Sequence, residues 1–477
     1  MPEEFDVVVL GGGTAGLVTA SGCARLGRKV ALVEREALGG DCLWTGCVPT
    51  KALVASARLA LQMAHADEYG LPPVSPAIDP KKIMDSMRQA RRVTSRHDDP
   101  EKFRRLGIDV IFGNGRFVAP REIEVGERRL RGKDVVIATG SRTSVPPIEG
   151  LAEAGFLDHA SFLELDAFPS SLAILGGGYI GIEFAQIFRR FGCEVTVVEM
   201  LDEIVNKEDP DVIALVRHTL EGEGIAIRTG WKVKRARREG NRKTLEIEAS
   251  DGSQETVNAE EIFVASGRRG NTENLGLDIA GVRLDRSWIA VDGFLRTSAP
   301  RVWACGDVHG GLQFTHVAAY EAVKLVRNIL FPFRSKIDYD DVPWALYTDP
   351  EVGHIGMTEP EAVARIGKDH VRTYQADMAE VDRAVVDRTT KGFVKFVCDR
   401  KGRILGAHAA CANASTLIEE IVLARKKNVR IGELAQLVSP YPSLADAIQK
   451  AASLYYQDLG KGWLGAVGRK IAAWSQR

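Results

Sequence analysis

The chain lacks an excess of either charge, because its 477 residues hold 63 Lys and Arg against 64 Asp and Glu, for a formal net charge of -1. Such a balance creates no bulk field that would draw the protein to nucleic acid or to anionic lipid. Its apolar runs all fall short of the ~18 residues that suggest a membrane helix, and the Met-Pro-Glu-Glu start lacks a signal-peptide layout. We therefore expect a cytoplasmic protein with small-molecule ligands and no nucleic-acid partner.

Cysteine is scarce as well, and its spacing excludes several kinds of site. The seven cysteines are too few and too irregular for the disulfide framework of a secreted protein, and only Cys42 and Cys47 stand close together. Plant-type iron–sulfur ligation would need a third cysteine nearby, and zinc ligation would need a local histidine, of which His65 is the nearest. We predict no resident metal site. A redox-active pair and two buried structural cysteines both stay open from spacing alone.

Glycine, by contrast, is plentiful, and two glycine clusters repeat one pattern. In each copy an apolar strand leads into a G-x-G-x-x-G turn, an apolar helical stretch follows, and a second strand ends in a carboxylate at the same distance from the first glycine. The first copy contains Gly11, Gly13, Gly16 and Glu34; the second contains Gly176, Gly178, Gly181 and Glu199. These glycines permit the tight turn, the approach of a pyrophosphate and the packing of helix on strand, while the carboxylate accepts hydrogen bonds from a ribose.

Each copy is followed by a related apolar strand and turn. The first runs from Val135 through Thr139 and Gly140, and the second runs from Ile262 through Arg268. Two full copies make a purely steric origin of the glycines improbable. The sequence therefore predicts two dinucleotide-binding domains, with these turns among the cofactor-binding residues.

The segment around Cys42 and Cys47 predicts thiol chemistry. Pro49 suits the first turn of a helix, so Cys47 is expected at a helix start. Backbone amides and the helix dipole lower the pKa of a thiol there, which favours a pair that cycles between disulfide and dithiol.

The Gly-Gly-Asp-Cys42-Leu-Trp-Thr-Gly-Cys47-Val-Pro-Thr-Lys51 motif, the two fingerprints and the Val302-Trp-Ala-Cys-Gly-Asp307 motif together resemble the flavin-dependent pyridine nucleotide-disulfide oxidoreductases. That family includes dihydrolipoamide dehydrogenase, glutathione reductase and mercuric reductase. The resemblance implies an α/β fold with two Rossmann-like domains, for FAD and for NAD(H), and a C-terminal α+β dimerisation domain. It places the FAD domain at 1–146 and 271–340, the NAD(H) domain at 147–270, the dimerisation domain at 341–460 and a basic amphipathic tail at 461–477.

The same resemblance implies individual roles. Cys47 would be the charge-transfer thiol beside the flavin, and Cys42 would be the interchange thiol that meets the substrate. Lys51 and Glu183 match the pair near the flavin N5, and Tyr179 matches the aromatic ring that covers the flavin until nicotinamide displaces it. Asp307 would bind the ribityl chain, whereas Cys305 in the same motif is expected to serve packing.

The C-terminal region departs from the family pattern. Dihydrolipoamide dehydrogenase and glutathione reductase place a His-Glu dyad from the partner subunit at the substrate, but here Tyr441 and Asp446 stand at those positions. A tyrosine with a pKa near 10 is a poor proton acceptor at neutral pH. Mercuric reductase has Tyr at this position, yet it also ends in a vicinal Cys pair, and the last cysteine here is Cys411.

Three functions stay open on this evidence. The first is an NADH:disulfide or metal-ion reductase similar to mercuric reductase, and the second is a dihydrolipoamide dehydrogenase with Tyr441 in place of His. The third is a non-catalytic nucleotide-sensing or membrane-recruited partner protein, since the basic tail could form an amphipathic membrane-surface helix. The intact fingerprints and Cys pair favour an enzyme, and we expect a homodimer.

Overall fold

The computed structural model describes residues 1–461 and is built around three sheets with helices packed on their faces. The α/β fold class predicted from the sequence is confirmed. The tail predicted as amphipathic lies, apart from Lys461, outside the described residues. Within the described chain, no helix combines the length and apolar character that crossing a bilayer requires.

The first sheet carries the N-terminal glycine-rich turn. Its strands are, in spatial order, Ile108–Phe112, Val30–Glu34, Glu3–Leu10, Arg128–Ile137, Glu122–Val125 and Gly115–Ala119, with Val302–Ala304 pairing to Arg128–Ile137. Glu3–Leu10 pairs in parallel with both of its neighbours. Its buried Val7, Val8 and Val9 alternate between the two faces, so helices must cover both sides of the sheet. The helices around this unit are Thr14–Arg25, Gly40–Trp44, Cys47–Ala64, Pro80–Ser95, Pro100–Arg105, Leu277–Ala280 and Thr315–Leu330.

The second sheet repeats this arrangement around the second glycine-rich turn. Its four parallel strands are Ala226–Thr229, Glu194–Glu199, Ser171–Leu175 and Glu261–Val264, and a three-stranded antiparallel sheet of Trp231–Glu239, Arg242–Ala249 and Gln254–Ala259 covers one face. Its helices are Leu151–Ala154, Tyr179–Arg190 and Pro210–Gly222. Two short strands, Ser141–Thr143 and Arg268–Gly270, pair with each other where the chain passes between the two units. Leu284–Asp285 and Trp288–Ile289 form a further short pair.

The third sheet is antiparallel and belongs to the C-terminal region. Its strands are Trp344–Leu346, Glu351–Gly356, Ile404–Cys411, Phe393–Asp399 and Val371–Asp377, and its helices are Glu359–Ile366, Asp382–Val386, Ala414–Lys426, Ile431–Leu434 and Asp446–Lys461. Short 3-10 turns occur at Ala66–Tyr69, Arg96–Asp98, Ser161–Glu164, Gly306–His309, Lys368–His370 and Met378–Glu380. The domain boundaries proposed from the sequence stay predictions.

Candidate active site

The two glycine-rich turns have matching steric constraints. Gly11 and Gly176 adopt φ of 107° and 110°, in the left-handed region that favours glycine. A methyl group on the third glycine of either copy would collide with backbone. On Gly16 it would lie 1.8 Å from the Gly11 carbonyl oxygen, and on Gly181 it would lie 2.0 Å from the Gly176 carbonyl oxygen. These positions are therefore occupied by glycine for reasons internal to the fold.

The middle glycines differ, and their surroundings fit a ligand. A methyl group on Gly178 would meet no protein atom within 4 Å, and one on Gly13 would meet only the Gly40 Cα at 3.7 Å. Both glycines line the same cavity, and each precedes a helix, Thr14–Arg25 or Tyr179–Arg190. The open space before a helix N-terminus is the cradle that a dinucleotide pyrophosphate requires.

The carboxylates at the ends of the second strands make the same hydrogen bonds in both copies. Glu34 accepts from the Gly12 amide at 2.6 Å and from the Glu36 amide at 2.8 Å. Glu199 accepts from the Gly177 amide at 2.6 Å and from the Leu201 amide at 2.9 Å. Both carboxylates line the cavity, so each can also accept from a ribose hydroxyl.

One cavity of about 2860 Å³ joins both turns to the cysteine pair. It is lined by most of the predicted site residues: Gly11, Gly13, Glu34, Cys42, Cys47, Lys51, Thr139, Gly140, Gly176, Gly178, Tyr179, Glu183, Glu199, Arg268 and Asp307. Gly16 and Gly181 lie behind the turns, as their packing role requires. Tyr441 and Asp446 are absent from the cavity wall of this single chain.

The cysteine pair contains one acidic thiol. Cys42 lies in helix Gly40–Trp44, and Cys47 begins helix Cys47–Ala64, as the sequence predicted. The Cys42 thiol, the Thr315 hydroxyl 3.3 Å from the Cys47 Sγ, and the Lys51 charge lower the pKa of Cys47 to about 6, although burial opposes the shift. The hydrogen bond that Cys42 shares with Cys47, together with burial, raises the pKa of the Cys42 thiol. At neutral pH the reduced pair therefore consists of one thiolate and one thiol.

Lys51 and Glu183 form the ion pair expected from their motifs. Lys51 Nζ lies 2.7 Å from Glu183 Oε2, and the Tyr347 amide donates to Glu183 Oε1 at 2.9 Å. Burial opposes a charged Lys51, but the Glu183 carboxylate outweighs that effect and raises the pKa of Lys51. The ammonium also lies 4.6 Å from the centre of the Tyr347 ring. A fixed positive charge thus stands in the cavity beside Cys47.

Sequence reasoning missed a network around Asp41, which directly precedes Cys42. Asp41 accepts from His159 Nε2 at 3.0 Å and from Arg268 at 2.6 Å, and Arg268 also donates to Ser141 at 2.7 Å. Burial would raise the pKa of Asp41, but these two partners hold it well below its usual value. The position of Asp41 inside the Gly-Gly-Asp-Cys motif was a signal, but its partners are 118 and 227 positions away along the chain.

Asp307 joins the same network through Ser141. The Ser141 hydroxyl donates to Asp307 Oδ2 at 2.8 Å, and burial raises the pKa of this carboxyl. Cys305 in the same motif is completely buried, with its thiol facing the Ala318 carbonyl, which confirms the packing role expected for it. Four further cysteines, 23, 193, 398 and 411, are also buried. The accessible thiol chemistry of the described chain is therefore confined to the Cys42–Cys47 pair.

Tyr441 and Asp446 have separate hydrogen-bond partners. The Tyr441 hydroxyl donates to Asp382 Oδ2 at 2.6 Å, and the Asp446 carboxylate accepts from the Ser443 amide at 3.5 Å. The roles expected for Tyr441 and Asp446 stay predictions, and within this chain Asp382 accepts the hydrogen bond from the phenol. This bond raises the pKa of Tyr441 further, so the phenol is an even poorer proton acceptor at neutral pH.

Comparisons with known proteins agree with this geometry. The sequence model "Pyridine nucleotide-disulphide oxidoreductase" matches residues 5–322, and the model of that family's dimerisation domain matches residues 342–452. A mercuric reductase of Bacillus cereus is 32% identical over 466 residues, covering 96% of this chain and 72% of that protein. A dihydrolipoyl dehydrogenase of Zymomonas mobilis is 34% identical over 466 residues, covering 96% and 99%.

The solved structures include a similar flavoprotein. The Cu(II) complex of the HOCl-induced flavoprotein disulfide reductase RclA from Escherichia coli superposes with a TM-score of 0.84 at 28% identity, covering 95% of this chain and 99% of that one. The resemblance therefore extends over nearly the whole chain and over all three sheets.

Proposed function

The chain belongs to the pyridine nucleotide-disulphide oxidoreductase family, and from that premise we propose that it passes electrons from NADH through FAD and the Cys42–Cys47 pair to a soft metal ion or a small disulfide. The family uses FAD and NAD(P)H, and the dimerisation-domain match supports a homodimer. The choice of acceptor and the roles of individual residues belong to the proposal.

The nucleotide ends of both cofactors would lie on the two glycine-rich turns. The amides that follow Gly13 and Gly178 would hold pyrophosphates, while Glu34 and Glu199 would accept from the ribose hydroxyls. Thr139, Gly140, Arg268 and Asp307 would complete the FAD side of the cavity. Bound FAD would accept hydride from the nicotinamide and supply its two electrons to the disulfide.

The chain's own residues would then manage charge and protons. Two electrons and one proton convert the Cys42–Cys47 disulfide into a Cys42 thiol and a Cys47 thiolate, and the low pKa of Cys47 stabilises that state. Lys51, held by Glu183, supplies the compensating positive charge. Tyr179 would cover the flavin until nicotinamide displaces it.

The observation that carries the choice of acceptor is the environment of Tyr441. Oxidising a dithiol substrate needs a base that generates the attacking thiolate. A phenol hydrogen-bonded to the Asp382 carboxylate meets this need poorly. A metal cation that takes two electrons from the reduced pair has no thiol proton of its own to lose, and only the Cys42 proton is released as the disulfide forms again. The similarity to mercuric reductases and to a flavoprotein studied as a Cu(II) complex supports the same choice.

An acceptor screen with NADH tests the proposal. Mercuric and cupric ions, glutathione disulfide, lipoamide and quinones would be compared at pH 7, with the Cys42→Ser variant as the control for direct reduction by the flavin. We expect a metal ion or a small disulfide to give the highest kcat/KM, and we expect that turnover to vanish in the variant. Preference for lipoamide would favour the second candidate, a dihydrolipoamide dehydrogenase, which the 34% identity to such enzymes keeps in view.

A further inference from the structure

Tyr179 is tethered by a carboxylate that lies outside the cavity. Its hydroxyl donates to Glu208 Oε1 at 2.7 Å, and its ring lies on the cavity wall. Glu208 itself is 3% exposed and does not line the cavity. The buried Glu208 carboxylate therefore holds the Tyr179 ring in position from outside the cavity.

Glu208 is held by three donors, two of which come from the C-terminal sheet. Trp344 Nε1 donates to Oε1 at 2.7 Å, and His354 Nδ1 lies 2.9 Å from Oε2. The other ring nitrogen of His354 lies 2.9 Å from the Gly356 carbonyl oxygen. Burial would raise the pKa of Glu208, but the hydrogen bonds from His354, Tyr179 and Trp344 lower it, so the carboxylate stays charged in the interior.

The backbone beside Glu208 is fixed to the same sheet. Asp209 accepts from Lys395 Nζ at 2.9 Å and from the Glu359 amide at 2.9 Å, and it also caps helix Pro210–Gly222. Trp344 stacks on His354 with ring centres 3.7 Å apart. Glu208 therefore has little freedom to follow Tyr179 if the ring moves.

We propose that Glu208 is a positioning residue that latches Tyr179 in its cavity-facing position, so that the nicotinamide ring must break the Tyr179–Glu208 hydrogen bond in order to bind. The proposal rests on the role given to Tyr179 in the proposed function. A hydrogen bond to a charged group is among the stronger ones in proteins, and the closed position therefore dominates. The apparent dissociation constant for the nicotinamide nucleotide equals the intrinsic constant divided by the fraction of molecules in the open position, so a small open fraction weakens binding.

Binding to the purified, oxidised holoenzyme tests the latch without any turnover. NAD⁺ must displace Tyr179, whereas ADP-ribose has the same adenine, ribose and pyrophosphate groups but no nicotinamide ring. Dissociation constants for both would be measured by calorimetry in wild type, Tyr179→Phe, Tyr179→Ala, Glu208→Gln and the Tyr179→Phe, Glu208→Gln double variant. Tyr374→Phe is the matched control, since it removes the hydroxyl of a buried tyrosine that lies 3.4 Å from Asp458 and does not line the cavity.

We expect Tyr179→Phe to bind NAD⁺ about tenfold more tightly, with ADP-ribose unchanged within about twofold. Glu208→Gln removes the charge from the acceptor and should shift NAD⁺ in the same direction by a smaller factor, and the double variant should gain nothing beyond Tyr179→Phe, because both changes act on the same bond. A merely structural role would weaken both ligands together. If Glu208→Gln does not fold, Tyr179→Phe alone decides the question.

Two results would overturn the latch. If Tyr179→Ala tightens NAD⁺ while Tyr179→Phe does not, the ring is a gate but the hydrogen bond does not hold it. If Tyr179→Ala leaves the NAD⁺ to ADP-ribose ratio unchanged, the gate role in the proposed function fails together with the latch. Neither result bears on the electron acceptor, because the experiment contains none.

Discussion

The cavity around the Cys42–Cys47 pair and the C-terminal end around Tyr441 differ in how well they keep the family pattern. Both glycine-rich turns, both strand-end carboxylates, the cysteine pair and the Lys51–Glu183 ion pair surround one cavity. At the C-terminal end, Tyr441 replaces the family histidine and donates to Asp382. If the proposed function holds, this chain keeps the residues for electron input while it changes those for proton handling.

Substitution of either cysteine of the pair should have the largest effect on acceptor reduction. Cys47→Ser should abolish acceptor reduction and also remove the long-wavelength absorption of the two-electron-reduced enzyme, because that band needs a thiolate against the flavin. Cys42→Ser should abolish acceptor turnover but keep the band. Anaerobic titration with NADH followed by absorbance separates the two variants, and normal acceptor turnover in either one would refute the assignment.

A double change should restore the proton handling that the C-terminal side lacks. Tyr441→His combined with Asp446→Glu should raise NAD-linked oxidation of dihydrolipoamide near pH 7 by about 10²–10⁴-fold, the usual contribution of general base catalysis. Tyr441→Phe serves as the control, because it removes the hydroxyl without adding a base. Unchanged rates in both variants, for every acceptor, would mean that residue 441 only packs at the subunit interface.

The preference for NADH over NADPH should depend on the carboxylate of the second glycine-rich unit and not on that of the first. Glu199 should repel a 2'-phosphate, so kcat/KM for NADH should exceed that for NADPH, and Glu199→Gln should reduce the ratio by about tenfold or more. Glu34→Gln, the corresponding change in the first turn, should weaken FAD retention and leave the ratio unaltered. Comparable kcat/KM values for both nucleotides in wild type would contradict this account of Glu199.

The pH dependence of the thiolate gives a further prediction. Because the pKa of Cys47 is lowered to about 6, the thiolate is present above that pH and is lost below it, so the long-wavelength band should fall about tenfold between pH 7 and pH 5. Absorbance of the two-electron-reduced enzyme against pH measures this change. A band that persists unchanged at pH 5 would indicate a stronger stabilisation of the thiolate than Cys42, Thr315 and Lys51 provide.

The smallest effect should come from the neighbouring charge. Lys51→Met should raise the pKa of Cys47 above its value of about 6 by a small amount, since it removes one favourable charge and leaves the larger contributions of the Cys42 and Thr315 hydrogen bonds. Lys324→Met is the matched control, because Lys324 lines the same cavity but is hydrogen-bonded to Ser335. An equal shift in both variants would show that general cavity charge, rather than the Lys51 position, sets the pKa.

Local pattern predicted the parts of the site that lie within one strand–turn–helix unit. The glycine spacing, the terminal carboxylates and the helix start at Cys47 all follow from short-range geometry, and the structure has them in place. The partners of Asp41 and of Tyr179 could not be predicted in this way. Asp41 meets His159 and Arg268 only when the first and second units pack together, and Tyr179 meets Glu208 across a tertiary contact within the second unit, 29 positions away along the chain.

The Tyr441 contact shows a different limit. A family alignment places Tyr441 and Asp446 at dyad positions, but a phenol is longer than an imidazole and carries its polar atom at the ring's far end. Its hydroxyl reaches from a loop to Asp382 at the start of helix Asp382–Val386, and a positional match did not predict this hydrogen-bond partner.

The most direct test of the account is the pH profile of NAD-linked dihydrolipoamide oxidation by the wild-type enzyme. Without a bound base, the rate should be low at pH 7 and should climb steadily with pH as the substrate thiol ionises by itself, toward an ordinary thiol pKa of about 8.5. Rapid turnover at pH 7 with a plateau from there upward would reveal a competent base. That result would contradict the account and make dihydrolipoamide dehydrogenase the better description.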